Sequence, residues 1–311
     1  MKKLFGLLTI FTMFLLGACG SATLEGEQSD ESEKVAEISP DEMTIGLSIS
    51  TLNNPFFGQL QEGVEDKAEE NGTTVRTVDA QDDTATQING IDDLIQQGVD
   101  VLLINPVDSD AITPAIESAN AAGIPVITLD RSSEGGEVVT LIASDNVQGG
   151  EMAAEHIVEL VGENAKVVQL EGTPGASAAN ERGEGFNNVA NEKLDVVDSQ
   201  SANFSRSEGL TVMENLLQSN SDIDAVFAQN DEMALGAIEA IEAAGLEDIV
   251  VIGFDGNEDA LAQIEEGRLD ATVAQQPYEM GSLAVQAAYD YVSGKDVENV
   301  ISSPLELMTA E

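Results

Sequence analysis

The sequence has one cysteine, one histidine and no tryptophan in 311 residues. A single cysteine excludes an internal disulfide, so the fold must stand on its core alone. A single histidine excludes His-rich metal sites and argues against a Ser-His-Asp triad. His156 lies in an amphipathic stretch between Glu155 and Ile157 and reads as a solvated helix position. Positive charge is scarce: 12 Lys and Arg stand against 58 Asp and Glu, a formal net charge of −46. Such a surface repels nucleic acid and anionic lipid, which argues against both as partners. Self-repulsion of this size is eased where salt screens it, so the composition suits a salty habitat. Nucleotide and catalytic signatures are missing too. No Gly-x-Ser-x-Gly elbow occurs, and Gly183-x-Gly185 is followed by Asn188 where a dinucleotide fingerprint needs glycine. Gly294-Lys295 leads into Asp296 without the upstream glycine of a phosphate loop, and there is no Asp-x-Asn-x-Asp-Gly calcium loop. The expectation is a protein that is not an enzyme, with no cofactor and no metal.

Long apolar runs are also lacking at the N-terminus. Leu4 to Leu16 is an uncharged run of 13 residues, short of the ~20 that a membrane span requires. Lys2 and Lys3 precede it and Leu16-Gly17-Ala18-Cys19 ends it. Residues 1–18 thus read as a secretory signal peptide. The ending resembles the lipobox of bacterial lipoproteins, in which the cysteine thiol is acylated and becomes the new N-terminus. That resemblance implies a lipid anchor at Cys19 on the outer face of the cytoplasmic membrane, where two acyl chains give stable attachment. Residues 19–42 are rich in Glu, Ser, Asp and Gln, cannot bury enough surface to fold, and read as an acidic flexible tether.

From Met43 the pattern becomes regular, and 42% hydrophobic residues are ample for packed cores. Short apolar runs at 44–50, 74–79, 99–105, 125–130 and 138–144 predict strands, and a second series follows at 166–171, 196–201, 225–230, 249–255 and 271–275. Amphipathic stretches such as 58–71, 84–97, 111–122 and 149–161 predict helices between them, and Gly72, Gly98, Gly123 and Gly245 stand where helices should end. Near-continuous apolar strands alternating with helices predict a doubly wound α/β fold with a parallel sheet. The strands are too many for one small sheet, and two similar lobes fit better at ~100–200 residues per domain.

In such sheets ligands bind beyond the carboxyl ends of the strands. Those ends hold Ser50-Thr51-Leu52-Asn53-Asn54-Pro55-Phe56-Phe57, Asp130-Arg131, Asn230-Asp231, Asp255 and Gln275. Planar amides, carboxylates and guanidiniums can engage two neighbouring hydroxyls at once, and aromatic rings pack on the apolar C–H faces of a sugar. Asp130 and Asp255 balance Arg131 and Arg182, which favours a neutral ligand. Each residue also has an ordinary reading: Phe56 and Phe57 as core, Asp255-Gly256 as a turn, Asn230-Asp231 as a helix cap, Asp130-Arg131 as a surface ion pair.

The longer motifs decide between these. Ser50–Phe57, Leu103-Ile104-Asn105-Pro106 with Asp108-Ser109-Asp110, and Pro125-Val126-Ile127-Thr128-Leu129-Asp130-Arg131 resemble the ribose-binding proteins of ABC importers. So do Ile142-Ala143-Ser144-Asp145-Asn146, Glu181-Arg182-Gly183-Glu184-Gly185-Phe186, Phe227 through Gly236, and Val251-Ile252-Gly253-Phe254-Asp255-Gly256. The resemblance implies a type I periplasmic-binding-protein fold: two doubly wound parallel-sheet lobes joined by a three-strand hinge. Lobe 1 is expected to hold 43–144 plus 276–304, and lobe 2 145–275 plus 305–311. It also implies the ligand set. Ser50 and Asn54 would contact the sugar; Phe56, Phe57 and Phe204 would sandwich its ring; Asp130, Arg131, Arg182, Asn230, Asp255 and Gln275 would bond its hydroxyls and ring oxygen. One departure is Asn180, where the family often has arginine before Glu181. The implied function is a monomeric extracytoplasmic lipoprotein that hands D-ribose to an ABC permease. The alternative ligand is another pentose or hexose, or a furanose-like signalling molecule. The missing tryptophan speaks against glucose and galactose. Sugar-responsive repressors share the fold but begin with a DNA-binding helix-turn-helix, whose place here holds the signal peptide and tether.

Overall fold

The computed structural model describes residues 38–220 and 222–310. The expected signal peptide, Cys19 and the tether up to residue 37 lie outside the described residues. The tether's last residues do not match their sequence reading. Pro40–Glu42 form one 3-10 turn whose Pro40 carbonyl accepts from Thr73 Oγ1 at 2.6 Å, and Ile38 packs on the core. Residues 38–42 are therefore tied to the folded protein.

The chain alternates strand and helix. The first series is β1 (Thr44–Ile49), α1 (Pro55–Glu69), β2 (Thr74–Asp79), α2 (Thr84–Gln96), β3 (Val101–Ile104), α3 (Thr113–Ala121), β4 (Val126–Leu129) and β5 (Thr140–Ser144). The second is α4 (Asn146–Val161), β6 (Lys166–Glu171), α5 (Ser177–Lys193), β7 (Asp195–Ser201), α6 (Arg206–Ser219), β8 (Ala225–Ala228), α7 (Asp231–Ala243), β9 (Val250–Asp255), α8 (Glu258–Glu265) and β10 (Ala271–Ala274). The chain ends with α9 (Pro277–Val292), β11 (Val300–Ser303) and β12 (Glu306–Thr309).

Two six-stranded sheets result, ordered β11-β5-β4-β3-β1-β2 and β12-β10-β9-β8-β6-β7. The winding is the same in both, with the first strand of each series inserted between the second and third. This is the expected pair of doubly wound α/β lobes. The chain passes between sheets three times: after β5, after β10, and between β11 and β12. Two features differ from the sequence expectation. β12 runs antiparallel to β10 rather than parallel. β11 and β12 carry no continuous apolar run: both are short, mostly unburied edge strands, and an edge strand needs no apolar covering on both faces.

Each sheet is buried on both faces. In the first lobe Leu47, Leu60, Val64 and Met280 pack on one side, and Leu94, Leu102 and Ile116 on the other. In the second, Leu170, Met213 and Ile238 face one side, and Phe186, Phe227 and Phe254 the other. Each such side chain contributes ~1.5–3 kcal/mol on burial. Gly72, Gly98, Gly123 and Gly245 follow helices with φ of 76°, 70°, 76° and 66°, the left-handed termination that glycine adopts without strain.

Candidate functional site

The carboxyl ends of the two sheets face each other across a narrow, nearly closed cavity. The first lobe lines it with Asn54, Phe56, Phe57, Asp130 and Arg131, and the second with Ala178, Arg182, Phe204, Asn230 and Asp255. Nine of the eleven sequence candidates meet here. Ser50 and Gln275 do not line it. Ser50 is fully buried at the end of β1, and its backbone N–H donates to Asn105 Oδ1 at 3.2 Å. Gln275 stands behind Asp255 and donates from Nε2 to its Oδ1 at 2.9 Å. Ala178, on the first turn of α5, was missed because alanine carries no chemical signal.

Two helices start at the cavity. Asn54 caps α1, accepting the Phe56 N–H on Oδ1 at 2.9 Å, and Pro55 takes the first helical position, where a missing N–H costs nothing. Helix α1 thus begins three residues before the apolar periodicity suggested. Asn230 caps α7 by accepting the Met233 N–H at 2.9 Å, and its Nδ2 donates to the Phe204 carbonyl at 3.2 Å. Asn230 therefore both caps α7 and lines the cavity.

The charged groups are buried and held by neutral partners. Arg131 Nη1 donates to the Pro106 carbonyl at 2.9 Å, and its Nε lies 3.4 Å from Asp130 Oδ2. Arg182 donates to Asn146 Oδ1 at 2.8 Å and to the Gln229 carbonyl at 2.6 Å, and lies 3.6 Å from Asp255 Oδ1. Its guanidinium also stacks 3.8 Å above the centre of the Phe254 ring. Helix α5 brings Arg182 this close because Gly150 and Gly185 let α4 and α5 touch: a Cβ on either would overlap the partner helix backbone. Burial pushes the Asp130 carboxyl above its ordinary range, against the pull of Arg131, Arg182 and the Asn105 amide. Burial pushes Asp255 well above it, opposed by Arg182. Two arginines and two aspartates leave the enclosure balanced, which disfavours an anion or a cation as ligand.

The aromatics form opposite walls. Phe56 and Phe57 meet edge to face at 5.2 Å, both almost fully buried. Phe204 comes from the other lobe, and the Arg131 guanidinium lies 5.3 Å from the Phe57 ring and 5.4 Å from the Phe204 ring. Phe204 has φ of 58°, Asp130 61° and Asp255 123°. Backbone held in these sparsely populated regions gathers at functional sites, and three of the nine lining candidates have it.

The lobes also touch directly. Ser109 N–H donates to the Gly175 carbonyl at 2.9 Å, Ser132 N–H to Ser177 Oγ at 2.9 Å, and Ser177 N–H to Ser109 Oγ at 3.2 Å. Among the described residues no cluster of three or more His, Cys, Asp or Glu is placed to hold a metal ion. Likewise among the described residues, no helix is long and apolar enough to cross a membrane.

Two facing α/β lobes, with a buried, charge-balanced and aromatic-walled cavity between their strand ends, define a binding protein for a small polar solute. Residues 45–296 match the periplasmic binding protein domain, and the chain belongs to that family. It is a solute-binding protein of the extracytoplasmic space and not an enzyme. The chain is 57% identical to the ribose import binding protein RbsB of Bacillus subtilis over 309 residues, covering 99% of each chain. It is 47% identical to the ribose import binding protein RbsB of Escherichia coli, covering 86% of this chain and 91% of that one. Among solved structures, the Caulobacter myo-inositol binding protein bound to myo-inositol superposes with a TM-score of 0.82 at 34% identity, covering 86% of this chain and 93% of the other.

Proposed function

We propose that this protein captures D-ribose between its lobes and delivers it to an ABC importer, as a monomer anchored through an acylated Cys19 at the outer face of the cytoplasmic membrane. The observation that carries the reading is the buried four-charge set, Asp130 with Arg131 and Asp255 with Arg182, walled by Phe57 and Phe204, in a chain 57% identical to a ribose import binding protein. Carboxylate acceptors and guanidinium donors from both lobes line the space between them. Each sugar hydroxyl, which both donates and accepts, meets a complementary group. The charged hydrogen bonds are the strong ones, and the aromatic walls take the C–H faces.

Asn54, Phe56, Phe57, Asp130, Arg131, Arg182, Phe204, Asn230 and Asp255 would touch the sugar. Ser50 and Gln275 would act from behind, Gln275 by orienting the Asp255 carboxylate. Because the contacts come from both lobes, all of them form only when the cleft is closed. The sugar therefore draws the open–closed equilibrium toward closure by its differential affinity. The closed form would be the one that the permease receives.

Titration calorimetry of the purified protein with ribose, arabinose, xylose, glucose, galactose and myo-inositol tests the specificity. Ribose should bind most tightly and stabilise the protein by ~2.7 kcal/mol at a hundred times its Kd. Tighter binding of another member of the panel would replace ribose while leaving the cleft as the site. Mass spectrometry of protein purified from membranes tests the anchor: a diacylglycerol adduct at an N-terminal Cys19 is expected, and an unmodified cysteine would remove that part of the reading.

A further inference from the structure

Asp255 is held in place by a second carboxylate that does not line the cavity. Asp231 opens α7 immediately after Asn230 and is fully buried. Its Oδ1 accepts from Thr272 Oγ1 at 2.6 Å, and its Oδ2 accepts from the Asn257 backbone N–H at 2.7 Å. Room for this carboxylate is made by Gly253 in the middle of β9, where a Cβ would collide with Asp231 Oδ1. A glycine inside a buried strand weakens it, and marks a place where another group comes close. Three elements thus converge on the turn that follows Asp255: the start of α7, β9 and β10.

That turn is strained. Asp130, the counterpart in the first lobe, has φ of 61°, inside the left-handed helical well near +57° that aspartate can visit. Asp255 has φ of 123°, far outside it. A residue other than glycine stays there only when its surroundings over-determine the backbone. The Asp231 bond to the Asn257 N–H, two residues after Asp255, supplies that determination.

We propose that Asp231 is a positioning residue for sugar binding: by gripping the Asn257 backbone and Thr272 it fixes the turn and aims the Asp255 carboxylate into the cavity. The proposal rests on the cleft being the sugar site. Its effect on affinity passes through Asp255 and not through contact with the ligand.

A double-mutant cycle reads this directly. Ribose affinity is measured by calorimetry for wild type, Asp231→Ala, Asp255→Asn and the double variant. Losing the grip should weaken ribose binding at least about tenfold. The double variant should bind within about twofold of Asp255→Asn alone, because the two residues act as one unit. A carboxylate that only supports the fold would give losses that multiply. Asp231→Asn keeps an oxygen for the Asn257 N–H and can donate to Thr272 Oγ1, so it should restore most of the affinity. Thr272→Val removes one bond and should fall between Asp231→Ala and wild type. If Asp231→Ala does not fold, Thr272→Val takes its place in the cycle.

If wild type gives no heat with ribose, the proposed ligand is wrong, and the positioning role is judged without it. In the ligand-free protein the Asn257 amide should exchange with deuterium at least about tenfold faster in Asp231→Ala or Thr272→Val than in wild type. Unchanged exchange at that amide, wild-type ribose affinity in Asp231→Ala, or multiplying losses in the cycle would each overturn the proposal.

Discussion

The two lobes solve the same problem with different parts. Each sheet is wound in the same order, and each offers the cavity one aspartate at a strand's carboxyl end, one arginine and one asparagine that caps a helix. In each lobe a side-chain amide steadies the aspartate: Asn105 donates to Asp130 at 3.2 Å, and Gln275 to Asp255 at 2.9 Å. The backbone beneath is handled differently. Asp130 lies in a well that aspartate tolerates, whereas Asp255 is held outside it by the Asp231 grip. The arginines differ too. Arg131 follows its aspartate in the chain, while Arg182 reaches in from α5 and is stacked on Phe254. The first lobe offers a site that local sequence builds, and the second one that tertiary packing builds.

The sharpest way to break this comparison is to remove one arginine at a time. Arg131→Ala and Arg182→Ala should each lower ribose affinity at least about tenfold, since each leaves a buried carboxylate without its charged partner. Arg182→Ala should also lower the melting temperature of the ligand-free protein, because its bonds to Asn146 and Gln229 lie within one lobe. A wild-type affinity in either variant would mean that one lobe alone makes the site.

A smaller effect separates closure from contact. Ser177→Ala removes the acceptor for the Ser132 N–H across the lobes. It should weaken every sugar that binds by the same factor of about two- to tenfold. The ligand-free melting temperature should hold. A change of selectivity across the sugar panel would instead place Ser177 in contact with ligand.

The second lobe should show a pH signature that the Asn variant lacks. Burial pushes the Asp231 carboxyl up to about 7 from 3.8, against the bonds from Thr272 and Asn257. In the folded state Asp231 keeps its proton to higher pH than in the unfolded chain. Its contribution is therefore fully present below about pH 4 and is lost as pH rises to about 7. Asp231→Asn cannot titrate. The stability of wild type relative to that variant should fall as pH rises through this window, and a constant difference from pH 4 to 8 would contradict the assignment. The facing charges in this region are Asp255, Glu232 and, through Asp255, Arg182.

The smallest and least local effect is that of salt. With a formal charge of −46, the melting temperature should climb as the Debye length falls from ~10 Å at 0.1 M to ~3 Å at 1 M. A flat response would remove the link between the acidic composition and a salty habitat.

Much of this was legible in the sequence because strand ends announce themselves. Apolar runs bounded by Asp130-Arg131, Asn230-Asp231 and Asp255-Gly256 located both the strands and the polar groups beyond them. The edge strands β11 and β12 escaped because exposed edges need no apolar run. What sequence could not show was which polar residues stand behind the site. Asp231 looked like a helix-start residue and Gln275 like a ligand contact. Only the registers that set β8, β9 and β10 side by side show that the first bonds Thr272 and the Asn257 N–H and the second bonds Asp255. A signal was present in Gly253, a glycine interrupting an otherwise apolar strand. The positive φ of Asp255 had none apart from the following glycine.

Small-angle scattering of the protein with and without saturating ribose tests the central claim, that one sugar is held jointly by two lobes. Ribose should shrink the radius of gyration, and the midpoint of that compaction should coincide with the calorimetric Kd. Ribose binding with an unchanged radius of gyration would contradict the account.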